Sequence, residues 1–173
     1  MIVAEYLERW LKDYARNAVA PKTFERYSEI VRGHLIPALG GQPLAKLHPL
    51  HIQDHYSEAL ENGRLDGKGG LSAQTVLHHH RVLREALQQA VKWLLLARNP
   101  ADAVEPPRPV RKEVLAIDEA TIELLMNSLK GHRIYTPVLM ALTTGMRRGE
   151  ILGLRWRSID LDTGTLVVRE SLS

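Results

Sequence analysis

The 173-residue sequence has no cysteine and only one phenylalanine. The lack of cysteine excludes disulfide bonds and thiolate zinc sites, and it is compatible with a reducing compartment. With one phenylalanine, any core must be built from leucine, valine, isoleucine, alanine, tyrosine and tryptophan. No apolar run approaches the roughly 18–20 residues that cross a bilayer. The N-terminus also lacks the basic and apolar segments of a secretory signal, so we expect no membrane partner.

The sequence also has only a small excess of positive charge. Lysine and arginine together number 23 and aspartate and glutamate 20, and the sequence pI is about 9.3. A surplus of this size permits a nucleic-acid partner without requiring one. The placement of the basic residues therefore matters more than their total.

Four helical patterns occupy the first hundred residues. Apolar residues recur at helical spacing over 3–14, and Pro21 and Pro49 stand at first-turn positions of the second and third patterns. Proline and glycine in 36–41 predict the end of the second helix. Ser72 caps the fourth and longest helix, which we expect to extend to about Leu96.

Two of these helices carry basic residues opposite their apolar faces. In the second helix, Lys22 and Arg26 lie outside the inward face, and Thr23 is expected to be the cap. In the fourth helix, Arg81 and Arg84 lie outside the inward face. The predicted inward residues are Phe24, Tyr27 and Val31 in the second helix, and Val76, Leu83, Leu87, Ala90, Val91 and Leu94 in the fourth. One apolar and one basic face suit a duplex-binding helix, but a merely solvated face has the same pattern.

The histidines do not predict a metal site. His51 and His55 are four residues apart, but the glutamate of the metalloprotease pattern is replaced by Ile52. We therefore interpret both as surface histidines. The three consecutive histidines at 78–80 point about 100° apart around a helix and cannot bind one ion together.

A proline-rich segment divides the chain. It predicts a semi-rigid linker at 106–113 between a domain at 1–105 and a second at 114–173. In the second domain Asp118 is expected to cap a helix, an apolar helix follows over 135–143, and 165–168 should form the first strand of a sheet. Because an isolated strand is not stable, we expect this domain to be incomplete.

Arg147 follows the apolar run that ends at Gly145 and precedes another short helical pattern. A guanidinium held at such a turn can bind two phosphate oxygens through its fixed donor fork. Taken alone, the same pattern is more typical of an exposed arginine beside a helix cap.

The residues around Arg147 form a more specific pattern, which comprises Thr144, Gly145, Arg147, Glu150, Leu154, Trp156, Ile159 and Asp160. This pattern resembles the first catalytic box of the tyrosine recombinases, the phage-integrase family. Residues 1–105 resemble the family's SAM-like core-binding domain, with Lys22-Thr23-x-x-x-Tyr27 and Ser72-x-x-Thr75 at helix starts. The resemblance implies a mainly α fold: a four-helix core-binding domain, a linker, and the incomplete N-terminal part of an α+β catalytic domain.

The resemblance also implies roles. Arg147 would grip the scissile phosphate, Glu150 would support it, and Leu154 and Trp156 would belong to the core. The family cleaves and rejoins DNA through a 3′-phosphotyrosyl intermediate, without metal or other cofactor, in the cytoplasm of a bacterial or phage-infected host. Double-stranded DNA and further copies of the parent protein are the implied partners. The expected phosphate contacts are Lys22, Thr23, Arg26, Arg81 and Arg84.

Later parts of the family's active site are missing from this sequence. The last lysine, histidine and tyrosine are Lys130, His132 and Tyr135, and all three precede Arg147. Without the tyrosine nucleophile we expect this chain not to cleave DNA by itself. Two alternatives remain: a non-catalytic DNA-binding regulator or integrase relic, and a helical protein-interaction module with a solvated basic face.

Overall fold

The computed structural model describes residues 1–110 and 116–172, which form two compact units, Met1–Lys112 and Glu113–Ser173. Residues 106–110 of the predicted linker have no regular secondary structure, and the rest of it, 111–113, lies outside the described residues. The division into domains at 1–105 and 114–173 therefore stays a prediction. In the described part of the chain, no helix is long and apolar enough to cross a membrane.

Helices dominate the first unit, as predicted. They are α1 (Val3–Trp10), α2 (Pro21–Ile30), α3 (Pro49–Asn62) and α4 (Ala73–Lys92). Short 3-10 turns lie at Leu44–Lys46 and Pro100–Ala103. The mainly α class and the four-helix N-terminal domain are confirmed. Ser72 caps α4, since its Oγ accepts a hydrogen bond from the Thr75 backbone N–H at 3.2 Å.

The first two helices each continue through a wider turn. A π-helical turn, Leu11–Ala15, extends α1 to Arg16–Ala18, and another, Val31–Leu35, extends α2 to Ile36–Leu39. The predicted break at 36–41 was therefore wrong for its first residues. The Ile36 N–H bonds to the Val31 carbonyl, five residues back. Pro37, which has no N–H to donate, follows where the regular i−4 pattern has already been interrupted.

The apolar side of α4 lies at the centre of the first unit. Leu83 and Leu87 are fully buried, and Val76 and Ala90 are buried as predicted. The Tyr6 hydroxyl of α1 donates to the Ala86 carbonyl in the middle of α4. Full burial of a leucine side chain stabilises a fold by roughly 1.5–3 kcal/mol, so this stripe fixes the rotation of α4 about its own axis.

The C-terminal end of α4 differs from the prediction. The helix ends at Lys92, and Leu94 adopts φ 59° with 91% of its surface exposed instead of facing the core. The Leu95 N–H bonds to the Ala90 carbonyl at 2.9 Å, and the Leu94 N–H bonds to the Val91 carbonyl at 3.0 Å. This pair of bonds is a Schellman motif, which places Leu94 in the left-handed position that glycine usually occupies.

The second unit consists of short elements. They are α5 (Glu119–Ser128), α6 (Tyr135–Thr144), α7 (Arg148–Leu152), a 3-10 turn (Trp156–Ser158), β1 (Ile159–Asp160) and β2 (Thr165–Leu166). Asp118 caps α5 as predicted, accepting from the Thr121 N–H at 2.9 Å. The predicted strand at 165–168 is present as β2, but it is the second strand. It pairs antiparallel with β1, with Ile159 opposite Leu166.

Three histidine rings stack inside the first unit. The ring centroids of His34 and His79 are 4.5 Å apart, and those of His79 and His55 are 5.6 Å apart with nearly parallel planes. His79 is fully buried and His55 is 7% exposed, so the interpretation of His55 as a surface residue was wrong. Neither ring nitrogen of His79 has a hydrogen-bond partner among the described residues. Burial, with a smaller effect of the His34 charge, lowers the pKa of His55 to about 4 and that of His79 to about 3.

These depressed pKa values predict that acid destabilises the first unit. The unfolded chain protonates its histidines near pH 6.5, whereas the folded chain does not, so stability is fully present above that pH and is lost as the pH falls. Between pH 7 and pH 5, each of His55 and His79 should lower the free energy of unfolding by roughly 2 kcal/mol. Urea denaturation at both pH values measures the loss.

The variant His79→Leu should retain more of its stability at pH 5, because it removes one of the two buried bases. His48→Leu is the matched control, since His48 is exposed and outside the stack; it should keep the wild-type pH dependence. Equal stability of the wild type at pH 7 and pH 5 would contradict the assignment of buried, neutral rings.

Candidate nucleic-acid interface

An open groove runs along the exposed side of α4. Its volume is about 580 Å³, and Arg81, Arg84 and Lys92 give it a positive charge. Arg81 and Arg84 point outward because each is next to a buried residue, Val82 and Leu83 respectively, on a helix that turns 100° per residue. The residues lining the groove are Tyr14, Leu77, His80, Arg81, Arg84, Glu85, Gln88, Gln89, Lys92 and Pro106.

Arg84 is held by an acid that the sequence pattern did not indicate. Its Nε donates to Asp102 Oδ1 at 2.7 Å, and both side chains are about half exposed. Asp102 lies in the 3-10 turn capped by Asn99, whose Oδ1 accepts from the Ala101 N–H at 3.0 Å. The buried Asn99 amide also donates to the Arg84 carbonyl at 3.0 Å. Only the Asn99-Pro100 pair, a common turn start, could have drawn attention to this contact.

The single acid of α4 is already paired with a tyrosine. Glu85 accepts a hydrogen bond from the Tyr27 hydroxyl at 2.7 Å, which joins α2 to α4. Burial, and then this carboxylate, raise the pKa of Tyr27 to about 12. His80, which also lines the groove, shares a 2.9 Å hydrogen bond between its Nδ1 and the Tyr56 hydroxyl. Burial, followed by the Arg84 charge, lowers the pKa of His80.

The predicted contacts on α2 are exposed but are not joined to this groove. Lys22, Thr23 and Arg26 all face solvent, and Arg26 pairs with Glu29 at 3.1 Å. Thr23 is not the cap, because α2 begins at Pro21 after Ala20. Within residues 1–110, no hydrogen bond or ion pair connects these three side chains to α4. The structure thus places the five predicted contacts in two groups, on α2 and on α4.

Arg147 stands at the turn before α7. Gly145 ends α6 with φ 69°, a left-handed conformation that favours glycine, and the buried Met146 anchors the turn. Glu150 accepts from the Arg147 backbone N–H at 2.8 Å and from its Nη1 at 3.1 Å. The Arg147 side chain is 86% exposed and that of Glu150 is 21% exposed. The backbone N–H of Arg147, and then its guanidinium, lower the pKa of Glu150.

Two glycines let another segment lie against α7. The Leu172 N–H donates to the Gly149 carbonyl at 2.9 Å. A Cβ at Gly149 would lie 2.4 Å from the Leu172 carbonyl oxygen, and one at Gly153 would lie 2.9 Å from that of Glu170. Glu170 in turn accepts hydrogen bonds from Arg155 at 2.7 Å and Arg157 at 3.4 Å. Residues 170–172 therefore brace the helix that follows Arg147.

One expectation for the box was wrong. Trp156 does not lie in a core: its side chain is in the surface 3-10 turn and is 82% exposed, while Leu154 is half-buried.

Over residues 1–110 and 116–172, no cluster of three or more histidine, aspartate or glutamate side chains is arranged to hold a metal ion.

Comparison with known proteins gives a consistent family. The profile described as "Phage integrase, N-terminal SAM-like domain" matches residues 2–60. A tyrosine recombinase XerC-like protein of Caldanaerobacter subterraneus subsp. tengcongensis is 26% identical, over 98% of this chain and 44% of its own length. An integrase of Saccharopolyspora erythraea is 28% identical, over 98% of this chain and 38% of its own length. The chain thus spans less than half the length of these two relatives.

Solved structures share the fold. A lambda integrase fragment, crystallised as a dimer bound to a core site, superposes with a TM-score of 0.78 at 16% identity, covering 98% of this chain and 62% of that one. The Tn1549 transposon integrase in complex with circular intermediate DNA gives 0.76 at 19%, covering 99% and 55%.

A third solved structure is closer in sequence. It is a phage integrase SAM-like domain from Moorella thermoacetica, 40% identical over 66% of this chain and 92% of its own, with a TM-score of 0.53. The SAM-like match at the N-terminus, this relative and the integrase fold all agree. The chain belongs to the phage-integrase family of tyrosine recombinases.

Proposed function

We propose that this chain is the DNA-binding portion of a site-specific tyrosine recombinase that acts in DNA integration. The observation that carries the proposal is the basic groove along α4, in which Arg81 and Arg84 project from a helix rotated by its buried stripe. Lambda integrase and the Tn1549 integrase, which share this fold, are seen bound to DNA. Double-stranded DNA is accordingly the partner assigned to this chain.

Phosphate contacts supply most of the proposed affinity. Exposed lysine and arginine side chains replace the counterions condensed on the duplex, so their contribution is strong at low salt and carries little sequence information. The groove provides Arg81 and Arg84, and the first turns of α2 provide Lys22, Thr23 and Arg26. Two groups on separate helices can hold phosphates at different positions along one duplex.

Arg147 is proposed as a ligand of the scissile phosphate. Its guanidinium is exposed but oriented through Nη1 by Glu150, and an oriented cation stabilises charge that develops on phosphate oxygens. In the parent reaction, strands are cleaved and rejoined through a 3′-phosphotyrosyl intermediate. The sequence after Arg147 contains no lysine, histidine or tyrosine. The role that we propose for Arg147 and Glu150 in this reaction is therefore phosphate binding.

The remaining assignments rest on the family. Lambda integrase is seen as a dimer on a core site and as a tetramer on a Holliday junction, and we propose that the parent protein likewise self-associates on DNA. No metal or organic cofactor is assigned, and the cytoplasm, where bacterial and phage DNA is accessible, is the proposed location.

Reversing the charges of the groove should strongly weaken duplex binding. In Arg81→Glu with Arg84→Glu, two phosphate contacts become repulsions, and we expect the affinity for a labelled duplex to fall by about tenfold or more at low salt. The slope of log K against log salt for a variant with both arginines changed to alanine should be smaller by roughly 2. Fluorescence anisotropy over a salt series measures both quantities.

The matched control is Lys12→Glu with Arg16→Glu, the same charge reversal at exposed positions outside the groove. It should weaken binding much less. Unchanged affinity of a folded groove variant would mean that another face binds DNA. No binding by the wild type at low salt would instead favour the helical protein-interaction module.

The contact between Arg147 and Glu150 predicts a specific titration. An NMR titration of the Glu150 carboxyl should give a pKa below the ordinary glutamate value in the wild type. In Arg147→Ala the pKa should rise only in part, because the backbone N–H at 147, the larger cause of the shift, is still present. Arg148→Ala is the control and should leave the Glu150 pKa unchanged. An ordinary pKa of Glu150 in the wild type would contradict the proposed orientation of Arg147.

A further inference from the structure

We propose that Asp102 is a positioning residue that orients Arg84 for a DNA phosphate. This inference rests on the proposed function, since it concerns the same groove. Asp102 lies 18 residues beyond Arg84, outside α4, and its carboxylate reaches back to the Arg84 Nε at 2.7 Å. Asp102 is not among the predicted phosphate contacts, which are all hydrogen-bond donors, whereas a carboxylate can only accept.

The geometry of the pair leaves the outer end of Arg84 available. A guanidinium is planar, so a hydrogen bond at Nε fixes the plane in which both terminal nitrogens lie. In the described structure, the Arg84 side chain donates only from Nε, and only to Asp102. Its two Nη groups therefore remain for two phosphate oxygens, the bidentate geometry in which arginine binds phosphate most strongly.

The position of Asp102 is itself fixed by buried groups. Asn99 is 6% exposed and holds both sides of the contact, because its amide donates to the Arg84 carbonyl and its Oδ1 accepts from the Ala101 N–H. Ala101 is fully buried. The 3-10 turn is thus docked on α4 at the level of Arg84. The backbone that carries the Asp102 side chain is therefore anchored to the core.

Charge and positioning predict opposite results when Asp102 is removed. Loss of a negative charge beside a basic groove strengthens attraction for DNA, so electrostatics alone predicts tighter binding. Loss of the positioning bond lets Arg84 sample many rotamers that binding must then restrict, which predicts weaker binding. The sign of the change in affinity therefore separates the two accounts.

The experiment measures the affinity of the full chain for a fluorescein-labelled duplex oligonucleotide, at one low salt concentration, in the wild type, Asp102→Ala, Arg84→Ala and the double variant. We expect Asp102→Ala to bind about three- to tenfold more weakly, the scale on which ordering one long side chain weakens association. In the Arg84→Ala background, Asp102→Ala should cause no further loss. Asp102→Asn should lie between, because its amide oxygen still accepts from Nε.

Glu8→Ala is the matched control. It removes the same charge and breaks another arginine–carboxylate pair, in which Arg32 donates twice to Glu8 at 2.8 Å, outside the groove. It should bind as the wild type or slightly more tightly. Thermal melting confirms that each variant is folded, and Asp102→Asn, which keeps the shape of the side chain, serves if Asp102→Ala is unstable.

Unchanged or tighter DNA binding by the folded Asp102 variants would overturn the inference. If Arg84→Ala still lost affinity in that case, the proposed function would stand without it. An equal loss on removing Asp102 in the Arg84→Ala background would also overturn it, because Asp102 would then act without Arg84. If the wild type binds no duplex, the proposed function fails and this inference fails with it.

Discussion

Burial of one side of α4 determines the rest of the first unit. Leu83 and Leu87 are completely enclosed, and burial of apolar surface is the main favourable term in folding. A helix turns 100° per residue, so once this stripe is buried the helix cannot rotate, and Arg81 and Arg84 must face outward. The α1 hydroxyl that bonds the Ala86 carbonyl fixes the same orientation from inside the core. The basic groove is therefore a direct consequence of core packing.

Two of the proposed phosphate ligands, Arg84 and Arg147, share one physical feature. In each unit an exposed guanidinium donates a hydrogen bond to a carboxylate: Arg84 to Asp102, and Arg147 to Glu150. A lone exposed arginine binds phosphate at the cost of its rotamer freedom. A fixed carboxylate reduces that loss before DNA arrives, although such an exposed pair adds little to the stability of the free protein.

Local signals were enough to predict much of this structure. The caps Ser72 and Asp118 and the four N-terminal helices follow from short-range patterns, and the box around Arg147 from a family resemblance. What failed depended on non-local packing or on unusual turns. Leu94 leaves the core because a Schellman motif ends α4 without glycine. His55 is buried because α4 brings His79 against it, and no spacing rule places Asp102 beside a residue 18 positions earlier.

The central claim is that the α4 groove is the DNA-binding surface. Amide chemical-shift mapping of the ¹⁵N-labelled chain, titrated with a short duplex at low salt, tests it most directly. The largest perturbations should fall on residues 81–92 of α4, on the turn at 99–103 and on the first turns of α2. Perturbations confined to residues outside these groups, such as those around the Glu8–Arg32 pair, with α4 unchanged, would contradict this claim.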